Sequence, residues 1–171
     1  MAKALFLDRD GVINEDEGYL FQIERCRFVP GIFDLVAAAV KKGYLPIVVT
    51  NQSGIARGYY TEEQMIELHS FMQDEFRKHG SFITAFYHSP FHPNAVIPHL
   101  KKASDCRKPK PGMFHQAIHD HGIDPFSSIM VGDKPSDRIQ LEGLTCYIIK
   151  SKYTGEDYDF DTITDIIPKL C

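Results

Sequence analysis

The sequence predicts an α/β protein with a Rossmann-like parallel sheet carrying helices on both faces in three layers, and three observations carry that prediction. Short apolar runs recur along the chain, at residues 4–7, 44–50 and 127–133, and read as buried strands. Segments with helical spacing of apolar residues lie between them, and a strand-helix-strand alternation means parallel strands joined by right-handed crossovers. Polar residues end three of the runs: Asp8 and Asp10, then Thr50 and Asn51, then Asp133. Ligands of open α/β sheets bind beyond the carboxyl ends of the strands, so these positions mark a candidate site.

The elements follow in order. Residues 4–7 form the first strand and run into Asp8-x-Asp10-Gly11. At that spacing on an extended chain, both carboxylates leave on one side. Like charges that close raise each other's pKa unless a cation sits between them, and Mg2+ with oxygen ligands suits the place. Residues 15–27 read as a polar loop punctuated by Tyr19 and Phe21. Pro30-Gly31 opens a helix that stops at Gly43. After the second strand comes the small polar cluster Thr50, Asn51, Gln52, Ser53 and Gly54. Thr61 with Gln64 forms a capping-box pattern for a helix to about His79. Residues 81–89 read as the third strand. Residues 89–111 form a long loop rich in Pro and His, and loops of that length are functional or disordered. Pro111-Gly112 starts a helix to Gly122. A fourth strand at 127–133, a short helix at 136–141, a fifth strand at 145–150 and a last helix within 159–170 complete the chain.

Length bounds the organisation: 171 residues suit a single domain, 1–171, and are short for two. A net charge of -4 gives no reason to expect nucleic-acid binding. No apolar run is long enough to span a bilayer, and MAKALFL runs directly into charged residues, unlike a signal peptide. A cytoplasmic monomer with no membrane partner is the expectation. The four cysteines, Cys26, Cys106, Cys146 and Cys171, include no C-x-x-C and are expected to be free thiols. Neither G-x-G-x-x-G nor a P-loop motif occurs, which argues against dinucleotide binding and P-loop chemistry.

Four motifs then stand in order on the βα alternation: D-x-D-G, T-N, R-K-P-K-P-G and V-G-D-K-x-x-D. Together they resemble the haloacid dehalogenase (HAD) superfamily of phosphotransferases. The chemistry fits on its own terms, because phosphoryl transfer needs a nucleophile, charge neutralisation and a proton for the leaving group. Asp8 is expected to attack phosphorus and form an aspartyl-phosphate. Asp10 is expected to protonate the leaving oxygen and then deprotonate water. Mg2+ is expected on Asp8, Asp133 and the backbone carbonyl of Asp10. The Thr50 hydroxyl and the Asn51 amide would bind phosphate oxygens, Lys108 would add fixed positive charge, and Asp137 would orient metal waters or anchor Lys108.

The stretches DRDGVIN, VVTNQSGIARGYYT, DCRKPKPGM and VGDKPSD resemble, more closely, the D-glycero-D-manno-heptose 1,7-bisphosphate phosphatases, with histidinol-phosphate phosphatases as near relatives. That resemblance implies a small sugar bisphosphate as substrate, no large cap domain, and a place in lipopolysaccharide heptose synthesis. It implies substrate contacts at Asp16, Gly18, Tyr19, Thr50, Asn51, Gln52, Ser53, Arg57, Arg107 and Lys134. The cationic members suit a second, uncleaved phosphate. Removal of the C7 phosphate is the implied family reaction. Release of the anomeric phosphate, from a β-anomer, is the other expectation.

The resemblance also implies a structural zinc in many members, held near the long loop. Ser89, Phe91 and Ser104 stand where three of those ligands belong, and only Cys106 remains. No structural zinc is therefore expected, and a loop held by its prolines and by Phe86, Tyr87 and Phe91 takes its place. His69, His115, His119 and His121 read as surface or boundary residues. A phospho-receiver domain is disfavoured because its acceptor Asp lies on the third strand. A sugar-phosphate-binding protein is disfavoured because binding alone does not need Asp10. Histidinol phosphate remains the alternative substrate.

Overall fold

The computed structural model describes residues 1–171. Strands β1 (Lys3–Leu7), β2 (Tyr44–Asn51), β3 (Ala85–Ser89), β4 (Ile129–Gly132) and β5 (Thr145–Ile148) pair in parallel in the order β3-β2-β1-β4-β5. Strand order reverses between β1 and β4, so their carboxyl ends frame the switch-point crevice. Asp8 and Asp133 follow those two strands directly.

Alternation along the strands feeds two cores. Leu5, Leu7, Val48 and Val131 face helices α1 (Ile32–Lys41) and α3 (Glu62–Lys78), which contribute Leu35, Leu68 and Phe76. Phe6, Ile47, Val49 and Met130 face α4 (Gly112–His121), where Phe114 meets Phe6 edge-on with centroids 4.9 Å apart. Phe114→Ala would cost about 3–5 kcal/mol there. A four-residue helix, α2 (Ser53–Ala56), occupies the small polar cluster after β2. The capping box of α3 forms as expected, with the Thr61 hydroxyl accepting from Gln64 N–H.

Several boundaries differ from the sequence reading. The third strand starts at Ala85, not Ser81. Pro46 of β2 turns its carbonyl to Thr84 N–H but has no N–H to give in return, so the ladder cannot extend further back. The Gln73 side chain takes over that segment, accepting from Ile83 N–H at 2.8 Å. The fourth strand spans only Ile129–Gly132 and the fifth ends at Ile148. The expected helix at 136–141 is a single 3-10 turn, Pro135–Asp137, and the tail helix is a 3-10 run, Ile163–Lys169, containing Pro168.

The long loop is also held differently. Val96 and Ile97 N–H both donate to the Ala56 carbonyl, and Ala95 and Leu100 pack on Ile55, Tyr60 and Met65. Of the expected anchors, Phe91 joins that cluster, but Phe86 and Tyr87 belong to β3 and face the two sheet cores.

Candidate active site

The end of β1 is wound tightly. Arg9 carbonyl accepts from the N–H groups of Val12, Ile13 and Asn14, curling the chain back immediately after the strand. Gly11 sits in this curl at φ 91°, and a Cβ there would lie 2.0 Å from Asp133 Oδ2. Only glycine satisfies both demands.

Asp8 is buried at 5% exposure. Its Oδ1 accepts from Arg9 N–H at 2.8 Å and pairs with Lys108 Nζ at 2.9 Å. Lys108 Nζ also bonds Asp137 Oδ1 at 2.6 Å, and Asp137 Oδ2 accepts from the N–H groups of Asp133 and Lys134. A Cβ on Gly132 would lie 2.0 Å from Asp137 Cβ, so the glycine makes room for this anchor. Three buried carboxylates here face two ammoniums. Burial, followed by the charge of Asp137, pushes the Asp8 carboxyl up to about 8 despite Lys108 and Lys134. Burial likewise raises Asp133. For Lys108, burial disfavours the charge, but Asp137 and Asp8 outweigh it and hold the ammonium protonated.

Asp10 has the opposite surroundings. Its Oδ1 accepts from Arg9 Nη2 at 3.0 Å, Arg9 Nε at 3.3 Å and Asn14 Nδ2 at 3.0 Å. Its Oδ2 accepts only from Gln52 Nε2, at 3.0 Å, and is the oxygen with spare capacity. Burial alone would raise this carboxyl, but Arg9, then Asn14 and Gln52, more than offset it and hold the pKa below the usual carboxylate range. Gln52 is itself fixed, donating to Thr50 Oγ1 at 2.9 Å and accepting from the Tyr60 hydroxyl.

Two adjoining cavities open above the carboxylates. The inner one, about 190 Å³, has Asp8, Asp10, Ser53, Arg107, Lys108 and Lys134 in its wall. The outer one, about 250 Å³, is walled by Asp16, Gly18, Tyr19, Gln52, Tyr60 and Tyr153. Asp10, Asn51, Ser53 and Lys134 line both. Tyr19, at φ 54°, sets its ring against Tyr59 at 4.8 Å.

The expected Mg2+ ligands meet one cation in the chain itself. Lys134 Nζ lies 3.1 Å from Asp133 Oδ1, 3.4 Å from the Asp10 carbonyl and 4.0 Å from Asp8 Oδ2. Those oxygens are hard donors, and two of them belong to carboxylates that burial pushes up, so this set fits a divalent cation. Asp137 lies within the same acidic cluster, yet its oxygens are taken by Lys108 and by two backbone N–H groups.

The remaining expected residues are distributed unevenly. Thr50 is fully buried and sits behind the cavity wall, bonded to Gln52. The Asn51 side chain is engaged with Lys108, its Oδ1 accepting from Lys108 N–H at 3.0 Å and its Nδ2 donating to the Lys108 carbonyl at 3.2 Å. Asp16 reaches Lys134 Nζ at 3.6 Å. Arg57 lies outside both cavities, with Nη2 3.2 Å from His92 Nε2. Arg57 Nε and Arg107 Nη1 are buried donors without a partner, and burial and then Arg57 lower the Arg107 pKa. Cys106 packs against the α4 core, and Phe91 stacks under Lys102.

Sequence reasoning missed Arg9, Asn14, Tyr60 and Tyr153, whose hydroxyl donates to Asp16 Oδ2 at 2.7 Å. It read His69 as a surface or boundary residue, whereas His69 is 6% exposed and stacks on Phe86 with centroids 4.6 Å apart. The buried face of α3 carries it inward beside Leu68 and Met72.

A family model described as HAD-hydrolase-like matches residues 105–139. A D-glycero-alpha-D-manno-heptose-1,7-bisphosphate 7-phosphatase of Burkholderia mallei is 51% identical over 135 residues, covering 79% of this chain and 71% of that protein. A D-glycero-beta-D-manno-heptose-1,7-bisphosphate 7-phosphatase of Haemophilus influenzae is 44% identical over 178 residues, covering 97% and 95%. A solved D,D-heptose 1,7-bisphosphate phosphatase from B. bronchiseptica, complexed with magnesium and phosphate, shares the fold at a TM-score of 0.80. It is 22% identical and covers 98% of this chain and 97% of that one. The two named relatives are both 7-phosphatases.

Proposed function

This chain belongs to the family of D-glycero-D-manno-heptose-1,7-bisphosphate 7-phosphatases, and on that premise we propose that it hydrolyses the C7 phosphate of that bisphosphate to leave heptose 1-phosphate. The observation that carries this reading is the division of two carboxylates, two residues apart, at one strand end. Asp8 lies against Lys108 beneath the inner cavity, and Asp10 is clamped by Arg9, Asn14 and Gln52.

Asp8 Oδ attacks phosphorus, and the bond from phosphorus to the C7 oxygen breaks as the aspartyl-phosphate forms. The departing oxygen takes a proton from Asp10 Oδ2. Water then attacks the phosphoryl group, Asp10 accepts its proton, and the bond to Asp8 breaks to release phosphate. The chain's own groups favour a proton on Asp8 and a charge on Asp10. A phosphate dianion beside Asp10 raises its proton affinity and so prepares the first transfer. The Asp8 and Asp133 carboxylates and the Asp10 carbonyl would hold Mg2+, which would supply the positive charge that lets anionic nucleophile and phosphate meet.

Lys108 and the backbone around Asn51 and Ser53 bind the transferring oxygens. The heptose occupies the outer cavity, against Asp16, Gly18 and Tyr19. Arg57 and Arg107 receive the 1-phosphate, which is supported by their two unpartnered buried N–H groups. The chain is read as one cytoplasmic, monomeric domain over residues 1–171; no helix is long and apolar enough to cross a membrane.

The test is phosphate release with Mg2+ from both heptose bisphosphate anomers, fructose 1,6-bisphosphate, histidinol phosphate and a 3′-phosphorylated oligonucleotide. The expected result is strong preference for a heptose bisphosphate with heptose 1-phosphate as product. Preference for histidinol phosphate, or heptose 7-phosphate as product, overturns the reading.

A further inference from the structure

Arg9 has no solvent exposure at all. Its backbone carbonyl winds the loop after β1, while its guanidinium does a separate job. Nε and Nη2 donate to Asp10 Oδ1, Nη2 donates to the Leu20 carbonyl at 2.7 Å, and Nη1 lies 3.3 Å from His69 Nε2. An arginine is always charged and only donates. His69 Nε2 must therefore be the acceptor, which places the ring proton on Nδ1.

We propose that His69, on helix α3, is a positioning residue for Asp10 and acts through Arg9. Stacking on Phe86, 17° from parallel, fixes the imidazole plane and hence the direction of the Nε2 lone pair. That lone pair and the Leu20 carbonyl hold the far side of the guanidinium, so its near edge meets Oδ1 squarely. With Oδ1 saturated by Arg9 and Asn14, Oδ2 is left to exchange the proton. Burial, and then Arg9, push the His69 pKa down to about 3, so the acceptor persists at neutral pH. Asn14 and Gln52 touch Asp10 independently. Losing His69 therefore loosens the aim of the carboxylate without removing it.

The inference rests on Asp10 as the proton donor to the leaving oxygen, and the experiment separates the two. Single-turnover rates are measured on heptose bisphosphate, whose leaving oxygen needs a proton, and on p-nitrophenyl phosphate, whose leaving group does not. His69→Leu is expected to slow the sugar substrate roughly tenfold with KM within about twofold, and to leave the nitrophenolate burst within about twofold. His69→Gln, whose amide oxygen can take the place of Nε2, is expected to recover most of the rate, whereas the shorter His69→Asn does not. Nitrogen NMR of the wild-type ring should show Nδ1 protonated and Nε2 bare.

Equal slowing of both substrates by His69→Leu, or equal rates for the Gln and Asn variants, overturns the proposal. The Gln and Asn pair decides the matter if the Leu variant does not fold. An Asp10→Asn control without leaving-group dependence would instead sink the proton-donor reading. In that case an Nε2-protonated ring would overturn the contact, and a bare one would keep it.

Discussion

Asp8 and Asp10 leave the same strand end, yet the regions behind them balance charge in opposite ways. Behind Asp8, Lys108 and Lys134 face three carboxylates and burial pushes two of the acids up. Behind Asp10, one buried guanidinium and two amides hold a single carboxylate down. The Asp8 side is short of positive charge and suits a cation and a phosphate. The Asp10 side is already complete and suits a group that must hold one orientation. Spacing of two residues thus separates the roles less than the identity of what packs behind each acid.

The strongest way to break this comparison is at Asp8. Asp8→Asn is expected to lower turnover by at least roughly a thousandfold while circular dichroism stays native, because the proposed nucleophile is gone. Substantial residual turnover would exclude the aspartyl-phosphate route.

Next is the other side. Arg9→Met strips the buried partner from Asp10 and is expected to cost about 3 kcal/mol in denaturant unfolding, with slower turnover. An unchanged midpoint would mean that Asn14 and Gln52 hold Asp10 alone.

Arg107→Ala probes the wall of the inner cavity. It is expected to raise KM for the bisphosphate about tenfold and for a monophosphate far less. Equal losses on both would remove the second-phosphate argument.

A further test is pH. His69 is neutral when folded, with its pKa lowered from 6.5 to about 3, so the unfolded chain binds the extra proton. Stability from this residue is complete above about pH 6.5. It falls toward pH 3 with a slope approaching about 1.4 kcal/mol per pH unit. His69→Gln should remove that part of the slope in urea titrations run from pH 7 to pH 4.

Much of the Asp8 side could be read from sequence, and little of the Asp10 side. Asp8, Asp133, Lys108 and Lys134 sit directly after strands or in compact motifs, so a strand prediction already points them at the crevice. Arg9 stands between the two aspartates and points away from the cavity, where a motif gives no sign of its partner. His69 lies 60 residues on, on a helix whose apolar stripe includes its position, and a polar residue on that stripe was the available signal. Tyr153 meets Asp16 across 137 residues, a contact no local pattern encodes. The third strand came out shorter because Pro46, in the neighbouring strand, lacks one N–H. Its effect could be read from the proline itself, but only once the pairing of β2 with β3 is known.

The double hydrogen bond from the Asn51 side chain to the main chain of Lys108 has a consequence for how this protein can change over evolutionary time. An Asn amide offers the same donor and acceptor as a peptide group, so Asn51 treats residue 108 as one more rung of the sheet. The position of the Lys108 ammonium is then inherited from β2 and not from the chain that leads up to it. The Lys108 main chain is thereby held independently of residues 89–106. They dock by apolar side chains, Ala95 and Leu100 among them, while the lysine keeps its address.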